Sequence, residues 1–442
     1  MFKSIWLWIL NNIFHIKTET KQTEIEDNQR YASEYERIDE INFSAIFSNK
    51  LANYVVSDSN MNILGDNDRV ELLSKTGQSM WKKMKKIVSM AFGYGGVFIV
   101  PYVKKGKLYY SVVPQGRVTI DETEGDLITG ATILAEKKDI TTNMGNTKTY
   151  IRWSNYKIVN NNIIIEQKFT DETGQPIPTP DFWKNILLKQ TISNADRVLF
   201  GYVKSPINNR KSNDKYGVPI CYGCDETIAE IKETMKQLLY EYRAKKTFIG
   251  VDATLFNGKN ELPKDSIYKK FDFGVDGESK FEVFDPAFRP YTERLQELFK
   301  RLEHQVGTSY GILSEVDSMN ATATEIKRSM FDTFTLCDDM RTNVEKAMDD
   351  FFYSCNILAN AYNLSSQGEY EIDFDWSYSL LEDTETEFNH LMQGLSRGVV
   401  KKEELRQWIY PDEDIEDSKK AVEEIQEQEP SVDDLLGTKN EN

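Results

Sequence analysis

Residues 306–315 read VGTSYGILSE, and within them Gly307-Thr308-Ser309-Tyr310-Gly311 matches G-x-S-x-G. That pattern is the turn that presents a nucleophilic serine in α/β-hydrolases, where a strand leads in and a helix follows at once. Here the flanks have another period. Upstream, Tyr291, Leu295, Leu298, Leu302 and Val306 recur every three or four residues, a helical stripe with Pro290 placed for its first turn. Downstream, residues 310–321 pass before the next helical pattern. A Ser-Asp-His order also needs a later histidine, and of the three in the chain only His390 follows, among acidic residues. An esterase using Ser309 is the alternative the match invites. The flanks favour a hinge, with Gly307 ending one helix in the left-handed region and Gly311 letting the chain turn. On that reading Ser309→Ala is close to neutral.

Working outward, Ile228, Ile231, Met235, Leu238 and Tyr242 fall on one stripe of an earlier helix. Between the two helices, residues 247–289 mix Gly, Pro, Asp and aromatics with no helical period, which predicts a compact insert. Beyond the hinge, Thr322 and Glu325 have capping-box spacing. Ile326, Met330, Phe334, Cys337, Met340, Val344, Met348, Phe351, Cys355 and Leu358 then recur without a Pro or Gly among them. One helix over 322–362 is expected, on the order of 60 Å long.

The first half reads as helices at 37–56 and 67–91, then strands from GYGGVFIVPYV (93–103) to about residue 204. Lys105-Gly106 separates two apolar runs as a hairpin does, and Thr149–Val159 and Ile163–Phe169 look like strands too. Met80, Trp81, Met84, Val88 and Ala91 share one helical face, with Lys82, Lys83, Lys85 and Lys86 between them. Those lysines are a nucleic-acid patch or, more commonly, a solvated face. Residues 205–219, SPINNRKSNDKYGVP, read as a boundary loop. A strand at Tyr370–Trp376 and helices at 383–396, 401–409 and 413–428 close the chain before a tail whose composition predicts disorder.

Composition narrows the chemistry. The 54 basic and 71 acidic side chains give −17, which argues against a protein that grips nucleic acid but not against one that lets it slide. Cys221 and Cys224 form one C-x-x-C, but Cys337 and Cys355 lie far off on the long helix, so zinc lacks a second half and the compartment reads as reducing. No G-x-x-x-x-G-K-[ST] and no H-E-x-x-H occurs, and GYGG precedes a strand instead of joining strand to helix. Asp338-Asp339 and Asp349-Asp350 read as a solvated face or an inter-subunit salt bridge. No catalytic, metal or cofactor residue is assigned. The N-terminal MFKSIWLWILNNIF is too short to span a bilayer and no cleavage site follows it. Its Trp6, Leu7, Ile9, Leu10 and Phe14 form one face, suited to docking on protein.

The order of parts, and the run FDPAFRPYTERLQELFKRLEHQVGTSYGILSE…ATATEIKRS, resemble the portal proteins of tailed bacteriophages, most closely those from phages of Gram-positive bacteria. The likeness rests on Asp285-Pro286, Arg289, Val306-Gly307, Ser309, Gly311, Leu313-Ser314 and Thr322-Ala323-Thr324-Glu325, with Gly95-Gly96 and Pro101 upstream. It implies an α+β fold divided as follows: an N-terminal segment 1–30, a wing at 31–220 completed by 322–376, stem helices 221–246 and 290–307, a clip 247–289, a tunnel loop 308–321, a crown 377–430 and a tail 431–442.

The resemblance further implies a homo-dodecamer at one capsid vertex of the virion, assembled in the host cytoplasm, with double-stranded DNA passing through it and no membrane. Its implied partners are terminase (a separate packaging ATPase), an adaptor or head-completion protein at the clip, and the major capsid and scaffolding proteins. Carried onto this chain, the channel loop is Ser314, Glu315, Val316, Asp317, Ser318, Met319 and Asn320. The stem interface is Ile231, Met235, Leu238, Leu295, Leu298 and Leu302. Arg243, Lys245, Lys246, Lys300 and Arg301 are possible basic rings, free either to touch DNA weakly or to pair with a neighbouring subunit. A minor head protein that forms no ring is the other structural alternative.

Overall fold

In a computed structural model, the described residues are 30, 35–37, 41–125, 127–141, 147–210, 215–243, 248–252, 268–271, 282–284, 288–315, 330–376, 391–410 and 413–428. The chain divides into two units, Met1–Trp376 and Ser377–Asn442.

From residue 41 the first unit runs through α1 (Phe43–Val56), β1 (Asn60–Leu64), α2 (Asp68–Trp81) and α3 (Met84–Tyr94). Asn42 and Asn67 cap α1 and α2, their side-chain oxygens accepting the N–H of Ala45 at 2.9 Å and of Val70 at 3.0 Å. The stretch 67–91, expected as one helix, is therefore two. No Pro or Gly announces the break; Lys83 N–H bonds back to Met80 O at 2.8 Å. The turn re-aims α3 so that Met84, Ile87, Val88 and Ala91 all enter the core. Lys82, Lys83, Lys85 and Lys86 stay exposed.

Gly95 ends α3 at φ +84, the left-handed position that turns the chain into β2 (Gly96–Lys104). A second constraint acts there. A Cβ on Gly95 would lie 2.5 Å from Gly217 O, and one on Gly217 would lie 2.0 Å from Gly95 O, so two backbones meet where no side chain fits. Around this contact Gln115 donates to Gly217 O at 2.9 Å, and Tyr202 OH accepts from Gly217 N at the same distance.

The strands continue as β3 (Lys107–Pro114), β4 (Val118–Glu124), β5 (Leu127–Thr141), β6 (Thr147–Val159), β7 (Asn162–Asp171), β8 (Lys189–Ser193) and β9 (Gly201–Lys204). They form an antiparallel sheet in the order β3-β2-β9 and a five-stranded meander β4-β5-β6-β7-β8. Lys105 and Gly106, at φ 49 and 68, make the tight β2–β3 turn, and Asn160-Asn161, at 50 and 58, repeat it between β6 and β7.

The described part of 205–219 is not all solvated. Tyr216 and Val218 are buried, and Tyr216 OH accepts the Ile120 N–H at 2.8 Å. The polar composition of this strap hid the anchors Tyr216 and Val218, and Ile220 just beyond it is buried too.

Beyond the strap come α4 (Asp225–Arg243), the insert strands β10 (Phe248–Asp252), β11 (Tyr268–Phe271) and β12 (Glu282–Phe284), then α5 (Phe288–Val306), α6 (Phe331–Ala361) and β13 (Glu371–Asp375). In the insert, β10 pairs parallel with β11 and antiparallel with β12. β13 pairs antiparallel with β1, Met61 opposite Phe374, closing the unit across most of its length. The described part of α6 has 31 residues; 322–329, where its expected first turns fall, lie outside the described residues. Its Met340, Val344, Ala347, Met348, Phe351 and Cys355 form the spine of the main core.

Two buried arginines tie this spine to the first helices. Arg69 donates to Ser365 Oγ at 2.8 Å, Asn360 Oδ1 at 2.7 Å and Asn356 O at 3.1 Å. Arg341 donates to Val55 O at 3.2 Å and Tyr54 O at 3.3 Å, at the end of α1 where carbonyls lack helical partners and a cation suits the dipole. In the second unit residues 391–396 are helical, followed by α7 (Lys402–Ile409) and α8 (Ile415–Gln428). Arg406 holds Glu413 through two bonds of 2.8 Å. No helix among the described residues is long and apolar enough to cross a membrane.

Candidate functional site

The site is the junction that begins on α4 and α5 and runs through the opening motif into α6. Ile231, Leu295, Leu298, Leu302 and Val306 are buried, and Met235 and Leu238 are half-buried against the same core. Four of the six residues expected at a stem interface, Ile231, Leu295, Leu298 and Leu302, are thus covered by their own chain. Ile231 and Leu302 are 0% and Leu298 is 1% exposed in a single chain, so the stripe's partner is the chain's own core. The charged faces are also tied within the chain. Arg294 bridges Glu230 and, at 3.0 Å, Glu297, while Arg301 lies 3.7 Å from Glu230.

Arg301 is thereby placed opposite an acid of its own subunit, and Lys300 beside it is exposed. Arg243 is the last residue of α4, and Lys245 and Lys246 lie outside the described residues. The large apolar surface that α4 leaves open is near its end, where Leu239, Tyr240 and Tyr242 are 46%, 65% and 60% exposed.

At the junction Gly307 has φ +82 and Gly311 φ +103. A Cβ on Gly307 would meet nothing within 4 Å, so only backbone conformation restricts that position. The chain past it is organised by one carboxylate. Glu303 is fully buried and accepts from Leu313 N at 2.5 Å, Ser314 N at 3.1 Å and Ser314 Oγ at 2.6 Å. Its carbonyl accepts from Thr308 N at 3.0 Å. Gln296 Oε1 takes the Glu315 N–H at 2.9 Å, and Lys50 Nζ reaches Ile312 O.

Ser314, expected to face the channel, is buried in this cluster. Its hydroxyl is consumed by Glu303, so of the expected loop residues Glu315 is the first that is exposed. Val316, Asp317, Ser318, Met319 and Asn320 lie outside the described residues.

Ser309 is buried as well. Its N–H donates to Thr333 Oγ1 at 2.9 Å, and its Oγ accepts the Thr333 N–H at 3.3 Å. That N–H is one of the donors α6 leaves unsatisfied in its first turn, and the residue before the helix, Met330, supplies no side-chain cap. Ser309 is thus a helix cap delivered from outside the helix. A helix, α5, leads into it where a nucleophile elbow has a strand.

The expectation that Ser309→Ala is neutral needs revision. Losing a cap costs about 1–2 kcal/mol. The thermal midpoint should fall by a few degrees while Gly307→Ala, strained only by its φ, loses about 1 kcal/mol. Calorimetry of the two variants checks both values; an unchanged Ser309→Ala would remove the capping role.

Sequence reasoning passed over Glu303. A signal was present, because Phe299 and Val306, four before and three after it, share its side of α5, and an acid amid apolar neighbours asks for buried donors. The C-x-x-C lies at the turn into α4, with Cys224 N–H bonded to Cys221 O at 3.1 Å. Burial pushes the Cys224 thiol up to about 11 and the Cys337 thiol up to about 12, so both remain neutral near pH 7. Of the acid pairs, Asp350 bonds Arg197 at 2.9 Å within the chain.

None of the curated proteins matches the chain. Among solved structures, a chain from the "Virion of native gene transfer agent (GTA) particle" is similar over 82% of this chain and 88% of that one, at 13% identity and a TM-score of 0.40. The family described as "Phage portal protein, SPP1 Gp6-like" matches residues 11–432, nearly the full length. The protein therefore belongs to the SPP1 Gp6-like family of phage portal proteins, a structural component of a phage particle.

Proposed function

We propose that the chain assembles as a ring of twelve at one capsid vertex, where the genome enters during packaging and leaves at infection. The family match over 11–432 carries this reading. In it, α4 and α5 form the stem, the three-stranded insert within 247–289 the clip, residues 308–321 the tunnel loop, and the sheets with α6 the wing. The second unit supplies the crown. Terminase docks to the ring during packaging, an adaptor joins at the clip, and capsid and scaffolding proteins contact the wing and crown.

Charge supports sliding over gripping. Each chain carries −17, so twelve carry about −200, and phosphate is repelled from most of that surface. Native mass spectrometry with negative-stain imaging is the test. Rings with a central hole and the mass of twelve copies are expected; a homogeneous monomer at micromolar concentration in virion-like salt would sink the reading.

The loop gives a second expectation. Changing Glu315 and Asp317 together to Lys places two rings of cations where the loop meets DNA. Assembly should survive, but the length of DNA packaged per head should fall, most strongly at low salt where phosphate attraction is greatest. Normal filling at low salt would show that this loop does not face the DNA.

A further inference from the structure

One feature of the first unit is absorbed by neither stem, loop nor sheets. Between the start of α1 and α4 lies a cleft of about 220 Å³, lined by Ile41, Phe43, Cys221, Ile228 and Ala229, with Arg37, Asp225 and Lys232 as its charged members. Ile41 is 47% exposed there, an apolar side chain left facing water. The polypeptide passes this place as it enters the fold, because Arg30 pairs with Asp225 at 2.9 Å. The residues before Arg30 include the apolar face of Trp6, Leu7, Ile9, Leu10 and Phe14, for which the portal reading offers no use.

We propose that this N-terminal segment, residues 5–14, docks its apolar face into the cleft of its own chain. Size agrees: an apolar cavity of ~150 Å³ holds a benzene ring, so about 220 Å³ takes one large aromatic side chain. Reach agrees too. Residues 15–29 extended span up to ~50 Å, far more than is needed to return from Arg30 to an adjacent cleft, and loop closure at this length carries a small entropic cost. The connector, with Glu19, Glu24, Glu26 and Asp27 against Lys17 and Lys21, is acidic on balance, and the cleft's charged members are Arg37, Lys232 and Asp225. Docking covers Ile41 and Ile228 and gives Trp6 a place out of water.

Cys221 makes the idea testable, because it lines the cleft and is only partly buried while Cys224, Cys337 and Cys355 are buried. Its alkylation by iodoacetamide is followed by mass spectrometry in the full chain, in a chain lacking residues 1–20, and in Trp6→Asp with Leu10→Asp. Both variants should react at Cys221 about tenfold faster or more, as a covered site does once its cover is removed. Added peptide of residues 1–20 should slow the truncated chain again. Equal rates in all three proteins would overturn docking.

Leu10→Cys then separates the sources. Under copper–phenanthroline oxidation, a disulfide to Cys221 that keeps single-chain mobility on a denaturing gel supports the proposal. A cross-linked dimer would assign the cleft to a neighbour's segment and overturn it. These readouts use one chain, so they stand or fall apart from ring assembly.

Discussion

Leu298→Asp leaves no folded subunit, as opposed to folded subunits that fail to associate. Leu298 is 1% exposed and shares the main core with Leu295, Leu302 and the α6 spine. Removing the leucine forfeits about 2–5 kcal/mol of packing. The carboxylate adds several kcal/mol more, as a buried unpaired charge or as an acid forced to protonate. Together these rival the ~5–15 kcal/mol that holds a typical domain folded. Near-UV circular dichroism, which a molten state loses, and sedimentation of the soluble fraction decide the matter: aggregated or molten protein is expected. A native spectrum from a soluble monomer would show that the stripe faces another copy after all, and that its burial within one chain is dispensable.

Glu303→Leu is expected to loosen the junction without unfolding the unit. The substitution leaves the N–H groups of Leu313 and Ser314 and the Ser314 hydroxyl without their acceptor, in a place shut off from water. Each orphaned donor costs about 1–3 kcal/mol, and neighbouring losses overlap. The thermal midpoint should fall by roughly 5–10 °C, and limited proteolysis should open new cuts between residues 307 and 315. Glu303→Gln keeps one carbonyl acceptor and should recover most of the loss. If Glu303→Leu shows native cleavage and native melting, the carboxylate is not what orders the loop.

The contrast between these two sites explains what could be read in advance. Leu298 was visible because helical periodicity is a statement about residues three and four apart, and the chain repeats it in α4, α5 and α6. Lys105-Gly106 was visible for the same reason, as a turn between two adjacent runs. The hinge glycines were visible from the end of the α5 stripe. Ser309 was not, because the partner that gives its hydroxyl a role, Thr333, lies 24 residues further on, past a loop. The Lys82–Lys83 break had no breaker residue, and the strap at 205–219 looked solvated although its anchors meet α3 and β4 across long separations.

Local periodicity and turn chemistry were enough to read α4, α5, the described part of α6 and the tight turn at Lys105-Gly106, while the portal family was legible only as a resemblance carried by the residues around 285–325. Those signals are written in neighbours along the chain, and folding does not alter them. A stripe of leucines, however, says that a face is buried and never says by what. Only when β13 pairs with β1, and α5 packs on a core built from residues 43 to 355, does the stem stripe acquire its own chain as partner. The same closure aims Ser309 at the start of α6 and puts Glu303 beneath the loop. Hydrophobic burial is non-directional and long-range contacts carry no local signature, so both roles came into existence with the tertiary structure.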